Sequence, residues 1–544
     1  MSQRPTPKVF TCWSLFALAA SACVSSAMPE PTSSPGERRD AVHPGSRAEV
    51  QPDDVVEFEK RFHEALAKDG GDRLGPTVKP LLDTFVPAVT ALCQRSDIAA
   101  ATRSATIRLL SATQDRRAIP CFNLALRSYV DGAEDEDARA VLGCVRATRF
   151  GELADGVFHV FRTVRFSRAD ARPLGKAVTE ALLAVVEARH EEELLAALGK
   201  PWPAKDAAAA QDEAFWQTVA ARALGHRNAL AAVKPLLTVI VTPEKSSIAT
   251  TALVALVRIG KPAVDITADA MAGAGPEHVG TYGEVLGALG TRGSREHLLA
   301  QLKRTKDQSQ RVLLTLALTQ TPRNDELWDA YQRVFGESPP TLDTPAGLAK
   351  EVIVSRSSDL LDARVVPWLI KSVGSIRGAG EDVQALRALA LISAAKLMTF
   401  EQMGEVERSL AKGDGSFAQE FALAKEVLEQ CKGSIECHLK TLTREDNQTK
   451  DRQFAAVKAA VMIGVLGSHS DAARVVEALT KLTNPAVRGI ALKAVESLLP
   501  DGDLKIAARL DELYAEAELA GDAQAASDRR VFTQAAMRLR ARSP

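Results

Sequence analysis

Apolar residues recur along most of this chain at helical spacing, in stripes separated by short polar turns. In residues 216–225, Val219, Ala220, Ala223 and Leu224 fall on one stripe. After His226-Arg227-Asn228, a second stripe presents Val233, Leu236, Leu237 and Ile240, with Pro235 in its early turns, where a missing N–H costs least. The same unit predicts helices at 248–259 and 262–271, at 279–289 and 297–302, and at 310–318 and 327–335. Near the C-terminus it returns at 455–466, 472–482 and from Asn484 to Leu499. Gly225, Gly260 and Gly290, spaced by 35 and 30, each follow a last apolar position, which predicts left-handed helix ends. Strand signals are scarce. The β-branched run 237–241 continues a helical stripe and reads as helix.

A helical hairpin alone leaves one apolar face exposed, so a pitch of 30 to 40 residues implies stacking into an array. The expected fold is all-α: an extended, open-ended, right-handed solenoid of roughly ten to thirteen antiparallel hairpins. Breaks interrupt the pattern at 199–203, at 336–345 with Pro339-Pro340, and at 374–380. The Pro339 region is taken as a boundary, giving a signal at 1–22, a disordered tether at 23–54, and helical arrays at 55–338 and 339–544.

Asn484-Pro485-x-Val487-Arg488-x-x-Ala491-Leu492-x-Ala494-Val495, Ala223-Leu224-Gly225 and Ala118-Ile119-Pro120-Cys121-Phe122 resemble HEAT repeats, including the bacterial form named after phycobilisome lyases. The likeness covers most of 57–540 and is weakest over 335–440. It implies a surface for binding proteins. Through the lyase branch it also implies handling of a tetrapyrrole, or service as an accessory subunit.

The N-terminus gives an address. Arg4 and Lys8 precede an apolar run, 9–22, which closes on Ala20-Ser21-Ala22 before Cys23, the layout of a secretory signal too short to span a bilayer comfortably. Ser21-Ala22-Cys23 resembles the end of a bacterial lipobox, although Ala20 stands where Leu is usual, so Cys23 is the expected lipidated N-terminus. The Pro-, Ser- and charge-rich stretch 24–54 would tether the body to a membrane. Val24, where Asp would signal inner-membrane retention, points toward the outer membrane.

Without the signal, 66 basic residues face 69 acidic ones and no dense basic stripe is visible, which argues against nucleic acid. Once Cys12 and Cys23 are set aside, five cysteines remain, so one thiol must stay unpaired or pair between molecules. Cys431 and Cys437 lie close enough to predict a disulfide stapling a hairpin turn, a loop closure worth about 2 kcal/mol. Cys93, Cys121 and Cys144 sit on apolar helical stretches and read as buried small hydrophobes, not as a second bridge.

Motifs that could carry chemistry are incomplete. Ser393-x-x-Lys396 lies inside an apolar helix without its partner motifs. His190-Glu191-Glu192-Glu193-Leu194 lacks the second histidine of a zinc helix. Asp501-Gly502-Asp503 with Glu512 starts like a calcium loop, but Lys505 and Ile506 occupy ligand and turn positions, so Asp501 or Asp503 reads as a helix cap. Trp202, Trp216, Trp328 and Trp368 read as fillers of hairpin interfaces. No catalytic residue, cofactor or metal is expected.

The expected function is therefore a non-enzymatic scaffold in the cell envelope that binds protein partners along its concave face. Tetrapyrrole chemistry and a self-associating structural role are the alternatives. Intact mass of the mature protein should match a chain starting at diacylglyceryl-modified Cys23, whereas an unmodified start at Val24 or Met28 would exclude the lipid.

Overall fold

The computed structural model describes residues 51–203, 205–322, 325–337, 353–375, 380–410, 417–519 and 529–543. Among them every regular element is an α-helix or a 3-10 turn, and none is a strand. Cys23 and Pro339-Pro340 lie outside these residues. Pro52–Lys68 is helical, so residues 52–54 of the expected 23–54 tether belong to a helix. Pro52 suits the first turn, Asp53 and Asp54 favour the positive end of the dipole, and Asp54 accepts from the Gln51 N–H at 2.8 Å.

From residue 78 the helices fall into two rows. The first row runs through Ala100–Thr113, Asp135–Thr148, Arg172–Val185, Ala207–His226, Ser246–Ile259, Pro276–Leu289 and Gln308–Leu318, each packed on the next. The second row supplies the partner helix of each hairpin. In it Val78–Gln94 packs on Ile119–Arg127, then on Ala154–Thr163, while Glu191–Gly199 packs on Val233–Val241, then Ala263–Ala272, then Arg292–Arg304. Leu142, Leu182, Leu224, Leu256 and Leu286, all fully buried, come from the first row at the helical stripes the sequence displays.

Close approach within the first row depends on small residues. A Cβ added to Gly225 would lie 2.7 Å from Ala255 Cα, and one added to Gly287 would lie 2.6 Å from Ala317 O. At Gly464, in Gln453–Leu466, a Cβ would come within 3.3 Å of Ala494 Cα on Pro485–Leu498. Each glycine sits 30 residues before its alanine, one repeat away. Gly225 is thus a packing residue inside a helix, not the left-handed terminator expected of it. Gly260 and Gly290 do terminate helices, at φ 74° and 64°.

The far end of the chain is not left open. The last helix, Arg529–Arg542, pairs with Leu504–Leu519 and also packs on Pro485–Leu498, Ser246–Ile259 and Pro276–Leu289. Arg542, its side chain 3% exposed, donates to Gly290 O at 2.7 Å, Gln320 O at 3.1 Å and Glu496 O at 3.1 Å. Arg538 pairs with the Glu496 carboxylate at 2.5 Å, and Met537 meets Val257 and Ala288. Burial opposes the Glu496 charge, but Arg538 and Arg542 outweigh it and hold the carboxyl below its usual range. A contact across some 250 residues between a terminal arginine and helix-end carbonyls leaves no trace in hydrophobic periodicity.

Two buried lysines do similar work. Lys245 Nζ donates to Leu198 O at 3.1 Å and Lys200 O at 2.9 Å, where Glu191–Gly199 ends. Lys458, 0% exposed, donates to Ala395 O, Lys396 O and Met398 O at 3.1, 2.9 and 2.5 Å, where Glu381–Leu397 ends. Burial pushes the Lys458 ammonium well below its ordinary pKa.

Gly287→Val should cost about 1–3 kcal/mol in urea unfolding, because backbone and not a flexible side chain opposes the new carbons. Gly143→Ala, mid-helix with nothing within 4 Å of the new carbon, should instead stabilise by about 0.5–1 kcal/mol. Equal effects at the two sites would refute the close-packed row.

Candidate functional site

Residues singled out in the sequence scatter to structural roles. Cys431 and Cys437 are bonded, with Cα atoms 5.3 Å apart. Cys93 and Cys121 are bonded too, at a Cα separation of 5.8 Å, which corrects their reading as separate hydrophobes. The reason is tertiary: Val78–Gln94 and Ile119–Arg127 are neighbours in the second row, one repeat apart. Cys144 stays a buried free thiol, and burial raises its pKa to about 11, the direction that suppresses thiolate chemistry.

Ser393 is 3% exposed and donates to Val354 O at 3.0 Å. His190 stacks on Phe158 at 4.4 Å and accepts from the Glu187 N–H through Nδ1 at 3.1 Å. Asp503 caps Leu504–Leu519, accepting from the N–H groups of Lys505 and Ile506 at 2.8 and 3.0 Å. Among the described residues, no three His, Cys, Asp or Glu side chains gather as metal ligands. Trp328 and Trp368 meet edge to face at 5.0 Å, and Trp202 donates to Gln217 Oε1 at 3.0 Å. Trp216 packs against the core as well, and the Arg165 guanidinium lies 5.1 Å and Lys200 Nζ 5.9 Å from its ring centroid.

Two clefts among the described residues are wide enough to seat another molecule. One, of about 510 Å³, lies between Asp135–Thr148 and Arg172–Val185 of the first row. Ala140, Gly143 and Ala177 give it a shallow small-residue floor, rimmed by Arg139, Arg146, Lys176, Glu136 and Glu180. Both rim carboxylates are already paired, Glu136 with Arg108 at 3.3 Å and Glu180 with Arg146 at 2.8 Å. Arg139 is exposed on the same rim, so the groove carries a cationic surplus.

The other cleft, of about 430 Å³, opens where the C-terminal helix meets the middle of the array. Lys261, Arg292, Arg295 and Arg542 line it with Asp265 and Asp501. Burial, then neighbouring Arg292, presses the Arg295 guanidinium below its ordinary pKa, while its Nη1 donates to Pro322 O at 2.9 Å. Periodicity cannot announce either cleft, since each is assembled from residues at least one repeat apart. The chemistry available at both is ionic and hydrogen-bonded contact along helix faces.

A third polar group lies below the surface. His438 has no exposed area, and neither ring nitrogen has a hydrogen-bond partner. Burial, then Lys458, lowers its pKa to about 4. No protein-family model matches the chain, and comparison with curated proteins finds no match.

His438 generates a pH prediction. Its folded pKa lies below the unfolded value of 6.5, so the unfolded chain takes up the proton first and stability falls as pH drops from 6.5 toward 4. The limiting loss is roughly 3 kcal/mol. Urea unfolding at pH 7 and pH 4.5 should show a smaller acid loss for His438→Leu than for the parent chain, and an unchanged difference would count against the buried neutral imidazole.

Proposed function

We propose that this chain is a HEAT-type right-handed α-solenoid that binds protein partners of the cell envelope along the face of its first row, without making or breaking bonds in them. The observation that carries the reading is the 30-residue Gly-to-Ala contact within that row. On this proposal the first row, where Gly225 and Gly287 let neighbouring helices approach closely, lines the concave side. The groove beside Gly143 opens on the same row, and its surplus of cations favours an acidic partner surface.

Export supports the same reading. Two disulfides belong in an oxidising compartment, which agrees with a signal at 1–22 and a lipid on Cys23. On this proposal the lipid and the tether hold the body at a membrane while the two arrays, 55–338 and 339–544, present the binding face. Joining the C-terminal helix to the middle of the first array limits how far that face can open.

The test is site-specific photo-crosslinking in intact cells. A photoreactive residue replacing Arg139 should capture one reproducible envelope protein, and the same residue replacing exposed Lys234 of the second row should not. Equal capture from both rows, or none from either, would end the proposal. A visible absorption band on the purified protein would favour tetrapyrrole handling instead.

A further inference from the structure

The two disulfides differ in what can reach them. Cys93 and Cys121 are both 0% exposed, sealed between helices. In the other bridge Cys431 is 4% exposed, whereas Cys437 is only partly buried. Of the two cysteines only Cys437 keeps appreciable exposed surface, so an incoming thiol approaches from its side.

Cys437 stands in the first turn of Ile435–Thr443, and its N–H donates to the capping Ser434 Oγ at 3.3 Å. Unpaired N–H groups at that end favour negative charge. Lys440 lies one turn further along the same face, and Lys432 occupies the left-handed bend at φ 44°. The carboxylate beside Cys437, that of Glu436, is engaged by Arg474 and by Lys440 at 3.6 Å. A thiolate at 437 would be stabilised by this setting. On the buried side, Thr441 Oγ1 lies 3.6 Å from Cys431 Sγ, close enough to share a weak hydrogen bond with sulfur. The loop closed by this bridge, with a separation of 6, is far shorter than the 28 of the other, so opening it releases less chain entropy.

We propose that Cys431–Cys437 is a thiol–disulfide exchange site that oxidises a dithiol in an exported polypeptide. A substrate thiolate attacks Cys437 Sγ, the Cys437–Cys431 bond breaks, and the electron pair leaves on Cys431 Sγ, which takes up the proton released by the substrate thiol. The second substrate thiol, deprotonated, attacks the substrate sulfur of the mixed disulfide. Cys437 departs as a thiolate favoured by the helix end and Lys440, then takes the second proton. Two electrons and two protons pass from the substrate dithiol to the cysteine pair, and the substrate gains a disulfide. This proposal does not rest on the binding face, since it concerns a different part of the chain.

The test uses the full chain under native conditions. Titration in glutathione buffers, read by alkylation and mass mapping, should reduce Cys431–Cys437 while Cys93–Cys121 stays intact. After reduction, Cys437 should alkylate at least about tenfold faster than Cys431, with a pH midpoint below the ordinary thiol value of about 8.5. Lys440→Gln should raise that midpoint. Mixing the oxidised chain with a reduced dithiol peptide should yield one peptide disulfide per chain. If both bridges resist reduction alike, if Cys437 titrates at or above the ordinary value, or if the peptide stays reduced, the exchange site is overturned. All three readings use the parent chain, so they survive if a cysteine variant fails to fold.

Discussion

At several helix ends among the described residues, backbone carbonyls that the helix itself cannot satisfy are completed by lysine and arginine side chains from other elements. Arg103 reaches Arg95 O at 2.7 Å beyond the end of Val78–Gln94, and Arg311 reaches Thr305 O at 3.2 Å beyond Arg292–Arg304. Lys245, Lys458 and Arg542 do the same from within the interior. A donor on a buried carbonyl contributes about 0.5–1.5 kcal/mol net, more where it is charged, and an orphaned carbonyl costs about 1–3 kcal/mol. A helix end completed in this way gains stability from its neighbour, which couples the helices of the array.

That dependence explains why the array can fold back on itself. Arg542 meets the ends of Pro276–Leu289 and Gln308–Leu318 as Lys245 meets the end of Glu191–Gly199, so closure uses the same contact as stacking. Glu496 adds a buried counter-charge that an ordinary stacking contact lacks. Gly290 takes part twice, ending its helix at φ 64° and leaving room for Arg538, whose Cδ would lie 2.8 Å from any added Cβ.

The glycines show how far sequence reasoning reaches. A glycine after an apolar stripe announces a helix end correctly at Gly260 and Gly290, because the left-handed backbone is a local need. Gly225 carries the same local signature, yet its reason for being glycine is Ala255 on the next hairpin. Conversely, Gln114 and Arg149 end helices with φ 56° and 58° and give no glycine signal at all. The cysteines divide in the same way. Cys431–Cys437 is legible because six residues of chain keep the sulfurs near each other, whereas Cys93–Cys121 needs two separate helices to be placed first.

The helical class, the buried stripes of the repeating helices, their pitch and an Asp cap at 501 or 503 were determined by the sequence alone, since all follow from spacing within one turn or one repeat. Tertiary structure alone decided which helix ends receive Lys245, Lys458 and Arg542, where the clefts open, and that Cys93 meets Cys121. Those choices join residues at least 28 apart, in one case 252 apart. Periodicity records only how a side chain faces its own helix axis, and carries no information about which distant backbone that face will meet.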